Sequence, residues 1–167
     1  MNNYFIILAS GQSKRFNSKK PKQFNIYKNK ALFKHSLEKA IKSKLFKKII
    51  LVVNNKKSIK EKFPINVSII KGGKERSDSS LIALKYIKKF KPNNVLIHDA
   101  ARPCLQIEDL KTLMEYADEE IKEDGQGAFL AYQPNDSINQ SSKEKISKIL
   151  EDAFQSWALG VSVPIPT

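Results

Sequence analysis

Five short apolar runs punctuate the chain: Tyr4 to Leu8 (YFIIL), Ile49 to Val53 (IILVV), Val67 to Ile70 (VSII), Val95 to His98 (VLIH) and Gly127 to Tyr132 (GAFLAY). Each is bounded by polar turn residues and is rich in β-branched or aromatic side chains, the pattern of a buried strand. Between them apolar residues recur three and four positions apart: Phe33, Leu37, Ala40 and Ile41; Leu81, Leu84 and Ile87; Leu110, Leu113, Met114, Ala117 and Ile121. That spacing predicts amphipathic helices. Strand and helix alternate along the chain, which predicts an α/β fold: a doubly wound, mostly parallel sheet with helices on both faces and right-handed crossovers. In such sheets ligands bind at the carboxyl ends of the strands.

Three polar clusters fall at those ends. Ser10 to Arg15 (SGQSKR) follows the first strand, Gly72 to Ser80 (GGKERSDSS) follows the third, and His98 to Pro103 (HDAARP) completes the fourth. Backbone amides around Ser10, Gly11 and Gln12 could cradle a triphosphate, with Arg15 and Lys22 supplying charge to its α-phosphate. The loop is neither a Walker A sequence nor a GxGxxG fingerprint, since Ser13 stands where a second glycine would be expected. Gly72 and Gly73 permit positive φ or close approach to a ligand, and Ser77 is placed to cap a helix beginning near Asp78; a glycine-rich turn with an N-cap accounts for the same residues. Asp99, at the end of a buried strand, could hold a hard divalent cation by oxygen or cap backbone amides and pair with Arg102.

The chain has 167 residues, enough for one domain, and its 28% charged and 41% hydrophobic composition belongs to a globular protein. No apolar run approaches the roughly 20 residues that cross a bilayer, and the first residues lack the pattern of a signal peptide, so a cytoplasmic location is expected. The single cysteine, Cys104, excludes an intramolecular disulfide and fits a reducing compartment. A formal charge of +13 invites a nucleic-acid reading. The lysines are dispersed along helical segments, mostly opposite the apolar stripe, which describes a solvated face rather than a binding track. Of the 30 basic residues only three are arginine, namely Arg15, Arg76 and Arg102, and each polar cluster contains one. In so lysine-rich a chain these either mark positions where a planar, bidentate fork is needed or are what chance leaves among so few.

In combination, LASGQSKRF with PKQF (Pro21 to Phe24), GGKERSDSS and HDAARP resemble the 2-C-methyl-D-erythritol 4-phosphate cytidylyltransferase family over residues 1 to about 150. The resemblance implies a Rossmann-like α/β fold and transfer of CMP from CTP to methylerythritol phosphate, in the non-mevalonate isoprenoid pathway. Carried over by residue, it implies that Arg15 and Lys22 are catalytic at the α-phosphate. Ala9, Ser10 and Gly11 would wrap CTP, Gly73 and Ser79 would recognise the cytidine, and Asp99 would bind Mg²⁺ beside the nucleotide. Arg102 would belong to the same pocket and bind substrate with Ser137, which stands where the family has a threonine on a protruding arm. That arm, residues 134–149, would also make a homodimer. Fusion to or association with the cyclodiphosphate synthase of the pathway is a further implied partnership; neither membrane nor nucleic acid is expected.

Residues 1–150 are therefore read as a nucleotidyltransferase domain lacking part of the family pattern, and 151–167 as an atypical tail. From Ile149 to Thr167 there is no lysine, arginine or asparagine, and Asp152 is followed by Ala153 where the family has an arginine. A truncated or altered end is the expectation, and with it two alternatives: a catalytically inactive member of the family, or a ribitol-phosphate cytidylyltransferase. A basic nucleic-acid-binding domain is the reading from another class.

Overall fold

The computed structural model describes residues 2–12 and 20–119 together with the short strands at 127–129, 140–141, 146–147 and 160–162. Strand β1 (Tyr4–Ala9) is buried along its whole length, as the uninterrupted apolar run requires of a strand covered on both faces. After a 3₁₀ turn at Lys22–Phe24 comes a hairpin of β2 (Ile26–Tyr27) and β3 (Lys30–Ala31). Its two-residue turn places both Lys28 (φ 44°) and Asn29 (φ 66°) in the left-handed region, the geometry a tight hairpin demands. Then follow α1 (Leu32–Ser43), β4 (Lys48–Val53), β5 (Val67–Lys71), α2 (Arg76–Lys88), β6 (Val95–Asp99) and α3 (Ile107–Glu119). The remaining described strands are β7 (Gly127–Phe129), β8 (Gln140–Ser141), β9 (Ile146–Ser147) and β10 (Gly160–Ser162).

The main sheet has the order β5-β4-β1-β6-β10-β7. The first four strands are parallel, and β10 runs antiparallel between β6 and β7. Residues 160–162, within the lysine-free tail, are thus strand partners of the core. Among the described residues, strands β8 and β9 pair with each other as a two-stranded antiparallel ribbon inside the 134–149 segment.

The two-residue period of β1 divides its side chains between two cores. Phe5, Ile7 and Ala9 join Phe33, Leu37 and Ala40 of α1 and Leu110, Leu113, Met114 and Ala117 of α3. Tyr4, Ile6 and Leu8 meet Ala83 and Ile87 of α2 on the opposite face. Helices on both faces and a mostly parallel sheet agree with the sequence reading. Each fully buried Leu, Ile or Phe contributes about 1.5–3 kcal/mol, so β1, lined on both sides, is the mechanical centre of the domain.

Two local expectations are corrected. Leu81 is 52% exposed rather than buried, because α2 packs through the small residues Ser79 and Ala83 together with Ile87. Helix α2 begins at Arg76, with Glu75 as N-cap rather than Ser77, and the Asp78 carboxylate accepts the Glu75 N–H at 3.1 Å. Earlier onset draws Arg76 into the helix and leaves Gly72 and Gly73 in the turn before it.

Candidate active site

The chain runs outward from β1 to β4 to β5 and returns to β6 on the other side of β1. Connections therefore diverge at the β1/β6 boundary, the switch point where open α/β sheets form a ligand crevice. Leu8 and Asp99 are register partners there, and the Ala100 N–H donates to the Leu8 carbonyl at 3.0 Å. The loop after β1, the turn before α2 and the segment after β6 all meet at this edge.

Ser79 ties the first two together. Its hydroxyl lies 2.7 Å from the Ser10 hydroxyl, accepts the Gly73 N–H at 3.1 Å and donates to the Glu75 carbonyl at 3.0 Å. A hydroxyl has one hydrogen and two lone pairs. Since its hydrogen serves Glu75, the Ser10 hydroxyl must donate, and Ser79 is fully satisfied. Ser79 is wholly buried and Ser10 nearly so. A Cβ on Gly72 would stand 2.7 Å from both Ser10 Cβ and Ser79 Oγ, and one on Gly73 would stand 2.3 Å from Asp78 Cβ. Neither glycine has positive φ; both are required by close packing within the turn, not by the conformations that the sequence reading allowed. A Cβ on Gly11, by contrast, would meet nothing within 4 Å.

Asp99 forms the second cluster. Its Oδ1 accepts from Arg76 Nε at 3.0 Å, and its Oδ2 pairs with Arg102 Nε at 3.2 Å. Two of the three arginines thus converge on one carboxylate. The Arg102 side chain is 30% exposed and that of Arg76 is 65% exposed. Arg76 was singled out only by the scarcity of arginine; sequence reasoning gave it no partner.

Beneath Asp99 lies His98, buried and stacked on Phe5 at 6.0 Å. Its Nε2 is 3.0 Å from the Arg102 carbonyl and 2.9 Å from Ser36 Oγ of α1, which itself donates to the same carbonyl at 3.0 Å. A carbonyl can only accept, so the Nε2–H tautomer is the one that serves it. Burial lowers the His98 pKa to about 4, outweighing the opposing Arg102 carbonyl contact and the Asp99 charge. A neutral imidazole therefore anchors the segment that carries Asp99 and Arg102. His98 and Ser36 were not read as site residues, because their meeting across 62 positions has no local signal.

Lys22 is exposed at the start of the 3₁₀ turn, and Gln23 beside it is buried. The Gln23 amide donates to the carbonyls of Ala9 at 2.7 Å and Gly11 at 2.8 Å. A cavity of about 550 Å³ opens on the α1 side of this loop, lined in part by Gly11, Gln12, Lys20, Phe24, Asn54 and Asn55. Gly73 and Ser79 lie toward α2, so residues 10–12 are where cavity and hydroxyl knot meet. Of the residues expected from sequence, the structure brings together Ala9, Ser10, Gly11, Gly73, Ser79, Asp99 and Arg102 at one sheet edge. Arg15 and Ser137 lie outside the described residues.

Comparison with known proteins agrees with this picture. The profile of the family described as IspD, 2-C-methyl-D-erythritol 4-phosphate cytidylyltransferase, matches residues 4–158. A bifunctional IspD/IspF enzyme from Pelagibacter ubique is 52% identical over 116 residues, 68% of this chain and 31% of that protein. A 2-C-methyl-D-erythritol 4-phosphate cytidylyltransferase from Wigglesworthia glossinidia brevipalpis is 37% identical over 152 residues, covering 87% of this chain and 63% of that one. The chain thus spans less than two thirds of the length of either relative. Among solved structures, the Francisella tularensis enzyme of the same name superposes with a TM-score of 0.71 at 27% identity, over 98% of this chain and 73% of that chain. Profile, relatives and fold converge: the chain belongs to the 2-C-methyl-D-erythritol 4-phosphate cytidylyltransferase family.

Proposed function

We propose that the protein transfers CMP from CTP to 2-C-methyl-D-erythritol 4-phosphate, releasing pyrophosphate. The observation that carries the reading is the family match over residues 4–158, whose signature strings meet at one switch point of the sheet. The reaction needs little acid-base chemistry, because the attacking phosphate oxygen is already an anion and pyrophosphate is a good leaving group. What remains for the protein is positioning and charge neutralisation during in-line displacement. Backbone amides at Ser10 to Gln12 would cradle the triphosphate, and Arg15 and Lys22 would stabilise charge at the α-phosphate. Gly73 and Ser79 would shape the nucleoside end, while Arg102 and Ser137 would serve the sugar-alcohol phosphate.

Asp99 is the carboxylate available to Mg²⁺. Among the described residues no group of three acidic, His or Cys side chains gathers to hold an ion on protein ligands alone. One carboxylate plus triphosphate oxygens is a donor set that suits Mg²⁺, so the residues fit an ion arriving with the nucleotide. Arg76, the more exposed of the two guanidiniums on Asp99, is the contact that would yield. Mg²⁺ bound there would neutralise charge on the triphosphate.

The β8–β9 ribbon lies within the segment read as the dimer arm, which supports a homodimer. The Pelagibacter relative joins IspD to IspF in one enzyme, which supports a partnership with the cyclodiphosphate synthase. No helix of the described residues is long and apolar enough to cross a membrane. The test is Mg²⁺-dependent pyrophosphate release from CTP, with methylerythritol phosphate and ribitol phosphate offered separately. Release with the first alone is expected, and Arg15→Ala should reduce it on the order of 10³-fold. Release with ribitol phosphate alone overturns the substrate assignment, and CTP binding without release identifies an inactive family member. Salt-sensitive DNA binding without CTP affinity overturns the whole reading.

A further inference from the structure

We infer that Gln23 is a positioning residue that aims the nucleotide loop at the triphosphate, an inference that rests on the CTP reading above. Gln23 is 5% exposed, and the two groups its amide nitrogen meets, the carbonyls of Ala9 and Gly11, can only accept. The amide must therefore turn its nitrogen toward them, and its two hydrogens are both used. A trans peptide points its C=O and the following N–H in opposite directions. Holding the Ala9 and Gly11 carbonyls toward Gln23 turns the N–H groups of Ser10 and Gln12 to the far side of the loop. Two amides facing one way are the elements of a phosphate cradle.

Among the described residues, no side-chain packing holds Gly11 on the side its Cβ would take, since an added Cβ there would meet no atom within 4 Å. Ser10 is fixed from the α2 side by Ser79, at 2.7 Å, and from the α1 side the backbone flanking it is fixed by Gln23. Gln23 also sits in the same 3₁₀ turn as Lys22, so one buried amide sets both the direction of the loop amides and the point from which the lysine extends. A buried apolar residue at 23 would hold the turn in place without directing either carbonyl.

Gln23→Met keeps length and volume and removes both donors. Calorimetric titration with CTP is expected to show binding weakened on the order of tenfold to a hundredfold. The KM for the sugar-alcohol phosphate should stay within about twofold of the parent, a split that general loosening of the fold would not produce. Should Gln23→Met fail to fold, Gln23→Glu decides. A buried carboxylate facing two carbonyl oxygens resists ionisation, and once protonated it donates one O–H. Its CTP affinity relative to the parent should therefore recover as pH falls from about 8 to about 6.

Unchanged CTP affinity in folded Gln23→Met, equal losses for both substrates, or a Gln23→Glu deficit that ignores pH would each overturn the inference. A parent chain that binds no CTP overturns the nucleotide reading, and the inference with it. A parent that binds CTP while the variants bind it equally well overturns the inference alone.

Discussion

Two clusters share the carboxyl edge of the sheet and are built on opposite principles. Around Ser79, three hydrogen bonds among neutral groups, one buried and two partly buried, saturate its hydroxyl and are closed over by glycines that admit no side chain. Around Asp99, two guanidiniums share one carboxylate near the surface, with the Arg76 side chain 65% exposed. Desolvated, fully paired hydroxyls are costly to disturb, whereas exposed ion pairs contribute about 0–1 kcal/mol each and exchange partners readily. On the proposed function, a site handling a polyanion would benefit from both: the neutral knot would fix its shape, and the charged cluster could trade one partner for an incoming ligand.

The largest effect is expected from what anchors the charged cluster. His98 is neutral in the fold, with a pKa near 4 against about 6.5 for an unperturbed histidine. Between those values the unfolded chain takes up a proton that the folded chain refuses, so stability is full above about pH 6.5 and falls as pH drops toward about 4. The shift corresponds to about 3 kcal/mol across that window. Urea denaturation at stepped pH should show this loss in the parent and not in His98→Gln, which retains a donor for the Arg102 carbonyl but cannot titrate there. Parallel curves for the two proteins would mean that His98 is not held neutral.

Next in size is the knot. In Gly73→Ala the new Cβ would begin 2.3 Å from Asp78 Cβ, so the first turn of α2 must move. Overpacking of this kind costs about 1–3 kcal/mol, a drop of several degrees in Tm for a chain of this length. Gly11→Ala, with nothing within 4 Å, should alter stability by less than about 0.5 kcal/mol. Ser79→Ala strips the Gly73 N–H and the Ser10 hydroxyl of a shared partner and should cost about 1–3 kcal/mol. Equal melting temperatures for the two glycine variants would remove the grounds for separating a packed loop from an open one.

The contrast between the clusters also marks what the sequence discloses. The parallel strands were legible because burial on both faces writes continuous apolar runs such as YFIIL, and the site's general location followed from sheet topology. The buried face of helix α2 is hard to read from sequence because Ser79 and Ala83 are small, and a close helix-to-sheet contact leaves little hydrophobic signature. The meeting of Ser36 with His98, and of Arg76 with Asp99, depends on tertiary placement that no local pattern encodes. Gln23 lies within PKQF but carries no local mark of its role, because an amide that bonds backbone carbonyls looks in sequence like any polar loop residue. The pairing of residues 160–162 between β6 and β7 is likewise a non-local contact, to which the tail's composition is blind.

The smallest effect is expected where the contact is most visible, at the Arg76 to Asp99 pair. Arg76→Ala should lower stability by less than about 1 kcal/mol in dilute buffer, because water already solvates most of that guanidinium. In roughly 1 M salt, where screening acts over about 3 Å, the difference should nearly vanish. A double-mutant cycle with Asp99→Asn isolates the pair from the Arg102 contact on the other carboxylate oxygen, and its coupling energy should stay within about 0.2–1 kcal/mol. A salt-resistant coupling above about 2 kcal/mol would place this pair with the buried hydroxyls, as a fixed strut instead of an exchangeable one. Arg76 would then not be free to release Asp99, and the carboxylate would have to meet a metal-bound triphosphate with both guanidiniums still attached.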